Sequence, residues 1–237
     1  MDQQQPAKRP AEGLDRCEIP QRTSGWATRI ADALAAMRLT PNTISVISVA
    51  FAAIAAACLV ASAFVGDDAR WSLLTAAAVL LPLRLLCNML DGMLAVEHDL
   101  RTPTGDLFNE LPDRIADLVV LAAAGYATAG VWMLGATDVG VALGWTAAAL
   151  ALLTAYVRTL GAANGVGNFF DGPMAKPPRM WAVVAAALVS LAEPLLDWPR
   201  GVVLAVALAV IAVGALVTVL VRLRRIVAAL RAREARP

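Results

Sequence analysis

Six apolar stretches, roughly 43–65, 71–97, 105–134, 139–161, 179–196 and 200–223, dominate the chain. Breakers or charge separate them: Gly66-Asp67-Asp68, Pro103, Gly135 to Asp138, the Gly/Asn/Pro-rich segment 161–178, and Trp198-Pro199. A helix crossing the hydrocarbon core of a bilayer needs about 20 apolar residues, so each stretch predicts one membrane span. Ahead of them, Ser24 to Arg38 carries apolar residues at helical spacing, with Arg29 and Arg38 on the opposite face. That pattern predicts a helix lying in the membrane interface, although one packed on protein would show it too. Thr40-Pro41-Asn42 ends this helix, because the residue before proline is pushed out of α geometry. Asn42 or Thr43 is then expected to cap the first span. The expected fold class is all-α: a polytopic membrane protein of six transmembrane helices plus an N-terminal interfacial helix. Residues 1–22 form an expected cytosolic tail with no apolar core of the signal-peptide kind, residues 23–225 the membrane domain, and residues 226–237 a basic tail.

Composition strengthens this reading. Hydrophobic residues make up 59% of the chain and charged residues 16%, with a mean hydropathy of +0.66, far from the balance of a soluble domain. The net charge of +1 conceals basic clusters at the two ends, and these flank membrane segments, which argues for membrane topology and against a nucleic-acid partner. With the N-terminus inside, the inner loops and ends receive most Lys and Arg, among them Arg29, Arg38, Arg101, Arg158, Lys176, Arg179 and Arg222, while the outer side keeps only Arg70 and Arg200. Both termini inside requires an even number of crossings, as six provides. The expected location is a bacterial inner membrane. Trp26, Trp71, Trp132, Trp145, Trp181 and Trp198 mostly sit near span ends, as interfacial anchors do. Cys17, Cys58 and Cys87 are scattered, and the last two lie in apolar runs, so buried thiols are expected rather than disulfides or a metal site.

One stretch breaks the membrane pattern repeatedly. Asn88 and Asp91 are three residues apart at the end of the second span. Asn109, Asp113 and Asp117 recur every four residues at the start of the third, hence on one helix face. Carboxylates at membrane depth are costly unless paired or bound to a cation. The short connection through Pro103 predicts antiparallel neighbouring helices whose polar groups converge at the cytosolic boundary. Asp and Asn oxygens in such number suit a hard cation such as Mg²⁺ or Mn²⁺. The plainer alternative is an interfacial hairpin, solvated and paired with Arg101 and Arg114.

The segment resembles the signature D-x-x-D-G-x-x-A-R, eight residues, G-x-x-x-D-x-x-x-D of the CDP-alcohol phosphatidyltransferases. Register is kept throughout: Asn88, Asp91, Gly92, Ala95, Val96, then Glu97 to Thr104, then Gly105, Asn109 and Asp113. Asn88 and Asn109 stand where that family usually has Asp, and Val96 where it has Arg. The resemblance, specific only over 88–113, implies metal-dependent transfer of a phosphatidyl group from CDP-diacylglycerol to a small alcohol, releasing CMP, as in phosphatidylglycerophosphate synthases. It implies Asn88, Asp91, Asn109 and Asp113 as ligands of Mg²⁺ or Mn²⁺, with Asp91 catalytic and Asp113 the base. Gly92, Ala95 and Gly105 would let the nucleotide approach bare helix surface, and a homodimer is suggested by the resemblance alone. Asp106, Glu110 or Asp117 are candidates to replace the two missing charges. The rival reading is an inactive relative serving as a scaffold or binding protein; a transporter would place its ionisable groups nearer the midplane and show repeats.

Arg158, Lys176 and Arg179 flank the loop before the fifth span and read either as positive-inside topology with lipid headgroup contact or as a phosphate site for an anionic acceptor. Lys176-Pro177-Pro178-Arg179 at a helix start favours the anion. Arg84, one turn before Asn88, is expected to pair with a carboxylate, His98 to be solvated, and Glu193 to pair with Arg200.

Overall fold

A computed structural model describes residues 25–97 and 105–234, which form seven helices and one small hairpin. The helices are α1 (Gly25–Ala36), α2 (Pro41–Ser62), α3 (Asp67–Glu97), α4 (Gly105–Tyr126), α5 (Val139–Ala163), α6 (Lys176–Val189) and α7 (Val202–Glu234). Strands β1 (Met133–Leu134) and β2 (Thr137–Asp138) pair antiparallel between α4 and α5, and a tight 3₁₀ segment, Ser190–Leu196, prolongs α6. Five helices are long and apolar enough to cross a membrane: α2, α3, α5, α6 with its prolongation, and α7. α4 equals α2 in length at 22 residues, but Glu110, Asp113, Arg114 and Asp117 make its first half polar. The protein is an all-α polytopic membrane protein.

Side-chain size explains how the bundle closes. Alanines fill the contacts between helices, including Ala52, Ala55, Ala77, Ala123, Ala124, Ala147, Ala148, Ala187 and Ala205, while Val46, Ile54, Val79, Val210 and Val213 face outwards. Lipid tails are as apolar as Val, so burying large side chains gains little in a membrane, and close backbone approach of small residues does the packing. The crossing of α4 and α5 is the extreme case: a Cβ on Gly144 would lie 2.6 Å from the Cα of Gly125. All six tryptophans are exposed on the surface of the described fold.

Several boundaries differ from the sequence expectation, each for a local reason. The cap of α2 is Thr40 rather than Asn42 or Thr43: its Oγ1 accepts from the backbone N–H of Thr43 at 3.2 Å, and Pro41 sits in the first turn, where its missing N–H costs nothing. The third apolar stretch stops being helical at Tyr126, eight residues early, because Asp138 organises the turn and hairpin between α4 and α5. Its Oδ2 accepts from Gly130 N–H at 2.7 Å and its Oδ1 caps α5 through Val141 N–H at 3.1 Å, with Gly130 and Gly135 supplying positive φ. α7 runs on to Glu234, so residues 226–234 continue the helix of the last span, and Arg231 and Arg233 lie in its last turn, where cations oppose the helix dipole. Cys58 and Cys87 are free thiols but half-buried rather than buried; Cys17 and His98 lie outside the described residues.

The expected pairing of the second and third spans also changes. α2 packs extensively on both α3 and α4, whereas α3 and α4 scarcely touch along their lengths. Their polar ends meet mainly through side chains. α1 packs Ala27 and Ala31 onto Met89, Leu90 and Met93 of α3, holding that helix from the outside, and leaves Trp26 and Ile30 exposed.

Candidate functional site

The ends of α3, α5 and α7 and the starts of α2, α4 and α6 lie together at one end of the bundle. Here α3 supplies Arg84, Asn88 and Asp91, α4 supplies Glu110, Asp113 and Asp117, and α6 supplies Lys176 and Arg179. Asp91 is 4% exposed. Its Oδ2 accepts from Ser45 Oγ at 2.7 Å, whereas its Oδ1 is buried with no hydrogen-bond partner. Asn88 bridges three helices: its Oδ1 accepts from Ser48 Oγ of α2 at 2.6 Å and its Nδ2 donates to Asp113 Oδ1 of α4 at 2.6 Å. The other oxygen of Asp113, Oδ2, accepts from Lys176 Nζ. The motif thus converges in space across helices that barely pack, with Asp91, Asn88 and Asp113 in one polar cluster.

Ser45 and Ser48 were missed from sequence. Their only signal was two hydroxyls one helical turn apart at the polar start of an otherwise apolar span, a pattern that also occurs where a hydroxyl merely bonds its own helix.

One turn deeper, Asp117 is 2% exposed between two guanidiniums: Arg84 donates to its Oδ1 and Arg179 to its Oδ2, each at 2.9 Å. Arg84 also reaches the Asp113 carbonyl at 3.3 Å, and Arg179 reaches Thr154 Oγ1 at 3.1 Å. Arg84 therefore pairs as expected, and both oxygens of Asp117 serve arginines. Glu110 is likewise committed, to Arg158 at 2.5 Å and Arg114 at 3.1 Å. Asn109 lies on α4 in the expected register; its side chain and that of Asp106 lie outside the described residues. Gly92 and Ala95 occupy the last turns of α3, and Gly105 opens α4.

The three basic residues expected to bind an acceptor phosphate act here as counter-ions: Lys176 to Asp113, Arg179 to Asp117, and Arg158 to Glu110. The Arg179 side chain is 1% exposed, because a buried carboxylate draws it inwards; Arg158 and Lys176 keep some exposure. Arg158 also lies over the ring of Phe170, 5.4 Å from its centroid. Arg222 of α7 fastens the loop before α6, donating to the carbonyls of Thr154, Phe170 and Asp171 at 2.7, 3.1 and 2.9 Å. Glu193, at the opposite end of the bundle, pairs with Arg70 at 2.9 Å and accepts from the N–H groups of Gly201 and Val203 at the start of α7. Arg200, the partner expected from sequence proximity, instead pairs with Asp67 at 2.6 Å.

No family model and no curated protein sequence matches this chain. Its fold, in contrast, is similar to solved structures of the phosphatidylinositol phosphate synthase of Mycobacterium tuberculosis. The structure of that enzyme with CDP-DAG bound superposes with a TM-score of 0.67 at 20% identity, covering 86% of this chain and 94% of the other. The complex with manganese and citrate gives 0.66 at 21% identity, covering 84% and 88%, and the apo form 0.63 at 23% identity, covering 83% and 93%. At this identity the likeness establishes architecture, and over nearly the whole of both chains this protein has the fold of that membrane synthase.

Proposed function

We propose that this protein transfers a phosphatidyl group from CDP-diacylglycerol to a small alcohol, releasing CMP. The observation that carries the reading is the convergence of Asn88, Asp91 and Asp113 at one end of a fold shared with a synthase solved with CDP-DAG. The orphaned, buried Oδ1 of Asp91 is the feature that fits a divalent cation, since a carboxylate oxygen left without any partner is costly. Among the described residues no group of three or more Asp, Glu, His or Cys side chains is placed to hold a metal. Asp91 and Asp113, with Asn88 and Asn109, would hold Mg²⁺ or Mn²⁺. Once bound, such an ion would neutralise the pyrophosphate and make CMP a better leaving group.

The residues of the chain do the rest. Asp113 takes the proton of the acceptor hydroxyl as its oxygen forms the new bond to the β-phosphorus and the bond to the CMP oxygen breaks. Ser45 and Ser48 orient Asp91 and Asn88 from α2. Gly92, Ala95 and Gly105 leave room for the nucleotide against the helices, while the acyl chains stay in the membrane. Arg158 and Lys176, the two basic groups with some exposure, favour a phosphorylated acceptor, with Arg179 buried behind them against Asp117. Both termini would face the cytosol, in a bacterial inner membrane, as the distribution of Lys and Arg supports.

One observation favours a second reading, in which the chain binds a lipid nucleotide without turning it over: both oxygens of Asp113 are already engaged. Purified protein given radiolabelled CDP-diacylglycerol, Mn²⁺ and a panel of alcohols decides between them. Release of CMP that requires both an acceptor and Asp113 establishes the transferase. Binding of CDP-diacylglycerol without CMP release from any acceptor establishes the second reading.

A further inference from the structure

At the polar end of the bundle three carboxylates face three cations, beside the separate cluster of Glu110 with Arg114 and Arg158. Asp91, Asp113 and Asp117 contribute three negative charges, and Arg84, Lys176 and Arg179 three positive ones. The three cations are not equivalent. Arg84 and Arg179 are held with side chains 0% and 1% exposed, each sharing Asp117 and donating to further oxygens. The Lys176 side chain is 19% exposed and its ammonium bonds a single carboxylate, that of Asp113. A lysine is a compact point charge on a flexible stem, whereas a guanidinium is pinned by its planar fork. Lys176 also starts α6, where Pro177 and Pro178 preset the first helical turn and fix its backbone.

Asp113 therefore has both oxygens occupied, one by Asn88 and one by Lys176, while the neighbouring Asp91 keeps a bare oxygen. We propose that Lys176 is a tethered cation that competes with the divalent metal for Asp113. The ammonium neutralises Asp113 in the empty site, and the metal loads tightly only when an anionic ligand draws the ammonium away. The pyrophosphate of the donor is such a ligand, since it offers phosphate oxygens to the same lysine. The inference rests on reading this cluster as a metal-dependent nucleotide-lipid site, and it explains how a site with two Asn in place of Asp can avoid idle metal binding without substrate. Substrate and metal then reinforce each other's binding, as linkage requires.

The test is a Mn²⁺ titration of the full-length protein in detergent, read by the electron paramagnetic resonance signal of free Mn²⁺, with and without CDP-diacylglycerol. Lys176→Met should bind Mn²⁺ about tenfold or more tightly than the parent in the absence of CDP-diacylglycerol, since a unit positive charge beside the metal is removed. Adding CDP-diacylglycerol should tighten the parent strongly and the variant little. Lys176→Gln, which keeps a donor to Asp113 without the charge, should behave like Lys176→Met and guards against misfolding. Lys176→Arg, which keeps the charge, should show no tightening. Equal Mn²⁺ affinity in the parent, Lys176→Met and Lys176→Gln overturns the competition while leaving the metal site intact. No saturable Mn²⁺ site in any of these proteins, with or without CDP-diacylglycerol, overturns the metal-dependent reading itself.

Discussion

Replacing Asp117 by alanine should destabilise the protein. The carboxylate is buried and receives one guanidinium on each oxygen, Arg84 from α3 and Arg179 from α6, both at 2.9 Å. Removing one partner of a buried ion pair typically costs about 3–5 kcal/mol, because a charge remains out of water without compensation. Here two charges would remain, but each keeps a fallback. Arg84 retains the Asp113 carbonyl at 3.3 Å and its carboxylate at 3.7 Å, and Arg179 retains Thr154 at 3.1 Å and the Met174 carbonyl at 3.4 Å. The loss should therefore fall near the lower bound, about 3–4 kcal/mol. For a domain of this size each kcal/mol moves the midpoint by about 2–4 °C, so the apparent Tm in detergent should drop by roughly 6–16 °C. Tryptophan fluorescence during heating measures it, with the parent scanned at the same rate. Asp117→Asn should lose part of this stability and bind Mn²⁺ as the parent does. A midpoint within 2 °C of the parent for Asp117→Ala, or loss of Mn²⁺ binding in a folded Asp117→Asn protein, would refute the assignment of Asp117 as an arginine clamp.

Asp91→Ala and Asp113→Ala should each lose nearly all CMP release while still inserting, whereas Cys87→Ser should leave turnover unchanged; an active Asp113→Ala protein would require a different base. Gly144→Val should collapse the yield of monodisperse protein on size exclusion, since its first side-chain atom would already sit 2.6 Å from the Gly125 backbone, which cannot retreat as a side chain could. Glu193→Ala should lower the Tm by a similar amount to Asp117→Ala, as it strands the buried Arg70 and uncaps α7, yet leave turnover per folded molecule unchanged, because it lies at the opposite end of the bundle.

Much of this protein was legible in the sequence, for a reason particular to membranes. A span must satisfy its backbone internally and face hydrocarbon, so hydropathy alone announces helices and their approximate lengths; six spans were expected, and five described helices are apolar enough to cross, because charge in its first half sets α4 apart. The same rule makes an intrusion conspicuous: Asn88, Asp91 and Asp113 stood out because nothing polar belongs in such a run without a partner. Boundaries were less visible where a single side chain overrode the apolar pattern, as Asp138 does by organising the turn that ends α4 early.

Partner choice was the part that only the tertiary structure decided. Sequence proximity joined Glu193 to Arg200, but the packing of α3 against the end of α6 brings Arg70 there instead, across 123 positions of chain. Periodicity placed Asp117 on the face of Asp113 and made it a candidate ligand, yet nothing in a single helix's pattern reveals that arginines from two other helices close on it. The ion pairs of Lys176 with Asp113 and of Arg179 with Asp117 were equally invisible along the chain. Hydrophobic burial is set by each residue's own chemistry and can be read along the chain, whereas an ion pair depends on where two distant helices meet, and that is known only once the bundle has closed.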